Sequence, residues 1–163
     1  MASTHKKVIV RKMDRDSVNG YVVAEDFLVA GKVELLNTAG NVLLIDLSEV
    51  KGVYYVREFA DFNSLQRKTF TTRPRVEGLW LRLRFRDGEI LEGLMPNDLT
   101  QVRAEGFFLN PPDTRGNIQR IFAPRSAVSE LTVLAVIGAA AKRRRQAGAA
   151  GDTPLLFSEL PSE

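Results

Sequence analysis

The chain has no cysteine and a single histidine, His5. Without thiols there is no disulfide framework, no thiolate nucleophile and no soft metal-ligand set. His5 lies near a terminus, where fraying is the rule, so no buried catalytic imidazole is expected. Most nucleophile–base arrangements thereby lose their base. Long apolar runs are missing too. The longest, LTVLAVIGAAA at 131–141, falls short of the roughly 20 residues that a membrane-spanning helix needs. The opening MASTHKKVIV has no apolar stretch after its charges of the kind a signal peptide carries. There is no Walker loop and no G-x-G-x-x-G. The expectation is a cytoplasmic protein with no membrane insertion, no cofactor and no metal.

Acidic pairs do occur: Asp14 with Asp16, Glu25 with Asp26, and Asp87 with Glu89. Adjacent strand positions face opposite ways, and acidic turns are ordinarily solvated, so these pairs predict no general acid–base site. The reading is therefore non-enzymatic. The net charge of +3 is unevenly spread. Residues 1–59 hold 8 basic and 8 acidic side chains, and residues 77–137 hold 7 and 8. The excess lies in 60–76, with 4 and 1, and in 138–163, with 4 and 3. A dedicated nucleic-acid domain carries its basic patch on the folded body, which is not the pattern here.

What the sequence does have is alternation. In LWLRLRF, at 79–85, Leu79, Leu81, Leu83 and Phe85 alternate with Trp80, Arg82 and Arg84, the period of a half-buried strand. Asp87-Gly88 predicts a two-residue hairpin turn, which sets Arg86 opposite Glu89. The return strand, EILEGLM, contains Gly93, and a glycine inside a strand predicts a bulge or bend.

The same features stand upstream. Asp14 and Gly20 have the spacing of Asp87 and Gly93. VELLN at 33–37 aligns with GFFLN at 106–110, at the offset that relates Asp14 to Asp87. GNVLLI at 40–45 aligns with GNIQRI at 116–121, and SEVKGVYYV at 48–56 with SAVSELTVL at 126–134. The offset grows only in turn-like stretches, where a duplication tolerates insertion. Each copy reads as five short strands: 6–13, 18–26, 32–37, 41–46 and 52–58, then 79–86, 89–96, 106–110, 117–122 and 128–134. Short bent strands suit a small barrel. A copy of about 60 residues is small for an independent core, so the copies should pack together or oligomerise.

The predicted organisation is a first repeat over 1–59, a connecting segment over 60–76, a second repeat over 77–137 and a tail over 138–163. In the connecting stretch, Phe59, Phe62, Leu65 and Phe70 could dock on a neighbour, with some strand pairing around 67–71. A short helix is predicted over 135–146, favoured by its alanines, with its basic run at the negative helix end. The remaining tail reads as flexible.

Alternating first strand, Asp at the turn, Gly in a bent second strand and Asn closing the third resemble the Sm-like small β-barrel. The resemblance implies ring-forming subunits and RNA contacts near the third-strand Asn, here Asn37 and Asn110. EVKGVYYVREFADF at 49–62, GFFLNPPDTRGNIQRIFAP at 106–124 and the FRDGEILEG hairpin are together similar to an uncharacterised bacterial domain family, over residues 6–134. That resemblance implies a bacterial cytoplasmic protein and carries no activity with it. Domains similar to these occur beside PilZ-type signalling modules. RKMDR at 11–15 has the spacing of the first half of a PilZ cyclic di-GMP motif, but DSVNG does not supply the second half.

The fold expectation is thus all-β: two tandem five-stranded Sm-like small barrels with a short C-terminal helix and a flexible tail. The functional expectation is an adaptor or regulatory module that binds a protein partner. Leu155, Leu156 and Phe157 would do so as a segment that folds on its partner, and Phe107 and Phe108 from a loop. The alternative is RNA or single-stranded nucleic-acid binding. Trp80 flanked by Arg82, Arg84 and Arg86 could stack a base and hold phosphates, with Asn37, Asn110 and the basic run Lys142, Arg143, Arg144 and Arg145 contributing. A homo-oligomer is compatible with either.

Overall fold

The computed structural model describes residues 4–59, 67–113 and 115–138. Apart from three single 3-10 turns, its regular structure is all strand. The first half contains β1 (His5–Lys12), β2 (Ser17–Val23), β3 (Leu28–Val29), β4 (Lys32–Asn37), β5 (Val42–Asp46) and β6 (Val50–Val56). The second contains β7 (Gly78–Phe85), β8 (Ile90–Met95), β9 (Gly106–Leu109), β10 (Ile118–Pro124) and β11 (Val128–Ile137). No helix among the described residues is long and apolar enough to cross a membrane.

All pairing is antiparallel. In the first half β1 lies between β2 and β6, β4 pairs with β2, and β5 pairs with β4. In the second half β7 lies between β8 and β11, and β9 pairs with β10. A backbone bridge between Leu94 and Asn110 links β8 to the end of β9. A 3-10 turn precedes the last strand of each half, at Leu47–Glu49 and Arg125–Ala127. The halves are joined by β6 pairing with β10, which makes one eight-stranded sheet; β11, β7 and β8 form a second.

The hairpin at Asp87 differs from expectation by one residue. Phe85 N donates to Glu89 O, and Gly88 N donates to Phe85 O. The loop is Arg86-Asp87-Gly88, a type I turn closed by a left-handed residue, Gly88 at φ 91°. Only Gly88 takes positive φ there, so the two-residue loop is corrected. The first half builds the same device. Lys12 N donates to Asp16 O and Arg15 N to Lys12 O, with Arg15 at φ 79°. Asp14 and Asp87 each accept from the backbone N–H two residues on.

Gly93 is not a bulge. Its β7 register runs unbroken, and a Cβ there would stand 2.1 Å from Leu109 Cδ1. At Gly20 a Cβ would meet Leu36 O at 2.5 Å. Each glycine lets a later strand of its half cross closely.

Alternation in β7 works as read: Leu79, Leu81, Leu83 and Phe85 are buried, while Arg82 and Arg84 are exposed. Fully burying one such side chain stabilises by about 1.5–3 kcal/mol. These residues pack with Leu91, Phe107 and Leu109, and also with Ile9, Tyr54 and Val56 of the first half. The other cluster, around Val8, Val10, Phe27, Val33, Leu35 and Val53, takes in Phe122 of the second half. Each core therefore borrows side chains from the other half.

At the C-terminal end, Ala135, Val136 and Ile137 continue β11, paired with Trp80, Leu79 and Gly78. The helix predicted to begin at Ala135 is corrected for these residues. A long apolar partner strand outweighs the modest helix preference of alanine, and Val136 and Ile137 are β-branched. The rest of that helix, and the tail, lie outside the described residues.

Candidate interaction surfaces

On the outer face of β7, Trp80 and Arg82 converge on Glu92, which β8 places directly across from Arg82. Trp80 Nε1 donates to Glu92 Oε1 at 3.2 Å, and Arg82 Nε and Nη2 donate to Oε2 at 3.3 and 3.1 Å. Phe70 covers the group: its N–H donates to Oε1 at 3.0 Å, and its ring meets Trp80 edge-on, centroids 5.9 Å apart. Lys68 O accepts from Glu92 N at 2.7 Å; residues 67–71 form no strand, so the pairing expected there is corrected to this single backbone bond. Arg84 pairs with Glu130 at 3.5 Å. Arg86 is exposed as the first residue of the hairpin loop, and its expected partner Glu89 is held by Lys51 and Lys68 instead. Trp80 thus already has a ring against it, and the nearby charge is balanced by carboxylates.

Asn37 is a turn residue. Its Oδ1 accepts from Ala39 N and Asn41 N, at 3.0 and 2.8 Å, closing the hairpin between β4 and β5. Asn110 is exposed and borders a cleft of about 330 Å³ with Lys6, Glu25, Tyr55 and Arg120. Arg120 is occupied there, paired with Glu25 at 2.5 Å and stacked 4.1 Å from the Phe108 ring centroid. Phe107 is buried. Phe108 packs against Phe27, Tyr55 and Phe122. Both phenylalanines are therefore core anchors rather than a loop surface: adjacent on β9, they face opposite ways, Phe107 into one core cluster and Phe108 against the other. Lys142, Arg143, Arg144, Arg145, Leu155, Leu156 and Phe157 lie outside the described residues.

The sequence reading missed Lys51. Its side chain is buried on β6, and its ammonium donates to Asp87 at 2.6 Å and to Glu89 across the boundary between the halves. It also sits 5.1 Å from the Phe85 ring centroid. Burial pushes both carboxyls up, but the hydrogen bonds from Lys51, and from Lys68 at Glu89, more than offset it. Both lie below their ordinary range. Burial first, and Glu89 second, push the neighbouring Tyr54 phenol up. An ammonium held by two carboxylates has no lone pair for attack, so this is a clamp. Among the described residues no cluster of three His, Asp or Glu side chains could hold a metal ion.

Among the described residues, two strand edges remain. β5 pairs only with β4, and β11 only with β7. Both expose apolar side chains: Val42 at 63% and Leu44 at 56% on β5, then Leu131 at 43%, Val133 at 52% and Val136 at 53% on β11. The other candidate edges are short or covered. β3 has two residues; β9 has four, with Gly106 O accepting from Arg103 N and the next residue, Asn110, bridged to Leu94; and β8 is bonded to Lys68 and Asn110.

A two-residue loop shifts the register by one and hides Glu92 from Arg82. The true register, Phe85 opposite Glu89, sets Arg82 against Glu92. The edges carried no local signal, since exposure depends on which strands lie alongside.

A family model described as "Family of unknown function (DUF6982)" matches residues 4–135. No curated protein and no solved structure matches the chain.

Proposed function

The chain belongs to the DUF6982 family of unknown function, and we propose that it is a non-enzymatic adaptor that binds a protein partner in the bacterial cytoplasm. The observation that carries this reading is the pair of unpartnered strand edges, β5 and β11, each presenting apolar side chains. An open edge offers backbone donors and acceptors that another strand can satisfy, while side chains on alternate positions supply selectivity. We read each half as an Sm-like small barrel. The repeated three-residue hairpin loop, the crossing glycines Gly20 and Gly93, and the 3-10 turn before each last strand support that reading.

The nucleic-acid alternative draws less support. Trp80, Arg82 and Arg84 already have partners in Phe70, Glu92 and Glu130, and a base or phosphate would have to displace them.

The test is site-specific photo-crosslinking in cells, with the reactive residue at Leu44 or Val133 and a control at the exposed Arg103. Protein adducts at the two edge positions, above the level at Arg103, are expected. Edge positions no more reactive than the control would end the reading.

A further inference from the structure

We propose that the outer face of β7 and β8 is a peptide-docking site, which residues 67–77 occupy as a tethered stand-in for an extended peptide of another protein. The ligand class is a strand-like segment with a basic residue two positions before an aromatic one. This rests on the protein-binding reading above and adds a third edge, with the chemistry of what it takes.

The contacts of residues 67–77 follow the pattern of strand addition. Glu92 on β8 stands opposite Arg82 on β7. Its N–H is turned to the other side, where Lys68 O accepts it at 2.7 Å. Two residues on, Phe70 N–H donates to Glu92 Oε1 at 3.0 Å. Alternate positions of an extended chain face the same way, so one residue, Glu92, reads a carbonyl and an N–H of its neighbour together. The side chains at the same two positions are read as well. The Lys68 ammonium pairs with Glu89, and the Phe70 ring stands edge-on to Trp80 at an interplanar angle of 78°. Main-chain bonds for affinity and alternate side chains for selectivity are how a sheet edge captures a peptide.

The face is complete without its occupant. Glu92 is buried, and three hydrogen bonds to its carboxylate come from β7, donated by Trp80 Nε1, Arg82 Nε and Arg82 Nη2. When residues 67–77 lift away, Glu92 keeps Arg82 and Glu89 keeps Lys51. No buried charge is orphaned, so release avoids the large penalty of breaking a buried pair. What it uncovers is one face of the Trp80 ring, a carboxylate oxygen and a backbone N–H, all fixed by the sheet.

The hold on residues 67–77 is light. They contain no strand, and among the described residues they make one backbone bond to β8. Phe70 is half-buried and Pro74 buried, while the rest are exposed. The β6–β10 junction is different: consecutive residues pair there, and Phe122 is buried against Val53. A tethered segment needs fewer contacts, because the chain holds it at an effective concentration in the millimolar range. A partner with contacts beyond these two positions displaces it.

Trp80 is the only tryptophan in the chain, so its fluorescence reports on this face. The probe is a synthetic peptide of residues 67–75, RKTFTTRPR, with a control peptide in which alanine replaces the phenylalanine. The protein is the full-length chain as parent, Phe70→Ala and Lys68→Ala. Phe70→Ala should shift Trp80 emission to the red, as the indole loses its cover. The peptide should reverse that shift and bind Phe70→Ala roughly tenfold or more tighter than the parent, in which the tethered segment competes. Lys68→Ala, at an exposed position, should raise the affinity in the same direction by less. It carries the comparison if Phe70→Ala loses the parent's circular dichroism spectrum. The alanine peptide should not bind.

No response of Trp80 to millimolar peptide in the folded variants would overturn the proposal, as would equal binding of the alanine peptide. Single-stranded RNA that reverses the shift in place of the peptide would overturn it by making the face a nucleic-acid site. A dimer of the parent chain that the peptide dissociates would also overturn it, since two copies would then be exchanging their own segments. Peptide binding without adducts at Leu44 or Val133 would keep this face and remove the reading from β5 and β11. Adducts there without peptide binding would remove this face alone.

Discussion

β6 and β11 occupy the same place in their halves, yet all seven residues of β6 are buried, while of the ten in β11 only Ile137 is. Composition does not explain it, since β11 is as apolar as a core strand through LTVLAVI. The difference is neighbours. β6 has β1 on one side and β10 on the other, and Phe122 from β10 closes over Val53 and Tyr55. β11 has β7 alone. Burial is thus a property of the arrangement of strands, and one pattern of residues becomes core or surface according to whether a further strand arrives.

The comparison is broken most severely by placing the same charge at equivalent positions. Val53→Asp puts a carboxylate at a fully buried site with no partner, and should cost about 4 kcal/mol or more, enough to unfold a marginal domain. Leu131→Asp, at the matching place on β11, should change the stability of the single chain by about 0.5 kcal/mol or less. Chemical denaturation of both at low protein concentration measures the gap. Equal losses would mean that β11 is not the exposed counterpart of β6.

The next largest effect removes what β6 has and β11 lacks, the clamp across the halves. Ser129 stands on β11 where Lys51 stands on β6. Lys51→Met leaves Asp87 and Glu89 without their shared cation and should cost about 3 kcal/mol near neutral pH, less if water reaches the carboxylates. The pH dependence has a definite sign. Both carboxyls are depressed in the folded protein. Their contribution is therefore present above the ordinary carboxylate range, near pH 4, and is lost as pH falls through the lowered values. Thermal melts between pH 7 and 2 should show an acid limb in the parent that is shallower in Lys51→Met.

Much of this arrangement was legible from the residues. Alternation in β7 identified its buried face, and matching offsets identified corresponding strands, because both signals are local or pairwise along the chain. The loop at Asp87 was not, since a Gly in positive φ serves a two-residue and a three-residue loop alike. That one-residue error hid the pairing of Arg82 with Glu92, and with it the reason that the Trp80 face is occupied. The β6–β10 junction was invisible for a different reason. Tyr54 and Phe122 look like ordinary core, and nothing in either strand says which distant strand lies beside it. The two edges followed from that junction and could not be read before it. Gly93 admits Leu109 rather than bending the strand, and a glycine within a strand pattern signals either role alike.

The glycines sharpen the comparison at smaller magnitude. Gly93→Ala drives a Cβ into Leu109, and relieving that overlap by shifting β9 should cost about 2 kcal/mol. Gly20→Ala meets the Leu36 carbonyl and two atoms of Leu35 and should cost a similar amount. Denaturant midpoints of the two variants measure whether the halves tolerate the same insult equally.

The smallest effect has the opposite sign and comes from the two hairpin loops. Their hydrogen bonds correspond one to one, but the left-handed position is glycine in the second half and Arg15 in the first. A side chain in that region carries a penalty of roughly 1–2 kcal/mol that glycine avoids, partly offset by the greater freedom that glycine has in the unfolded chain. The Arg15 side chain is exposed, so its removal should forfeit little packing. Arg15→Gly should therefore stabilise the chain by about 0.5 kcal/mol, the difference left between those two opposing contributions. Gly88→Arg, its mirror, should destabilise by a similar or larger amount, because Asp87 beside it must keep its grip on Lys51. A stability change of the same sign in both variants would show that the loops are alike in hydrogen bonding only, and that their backbones carry different strain.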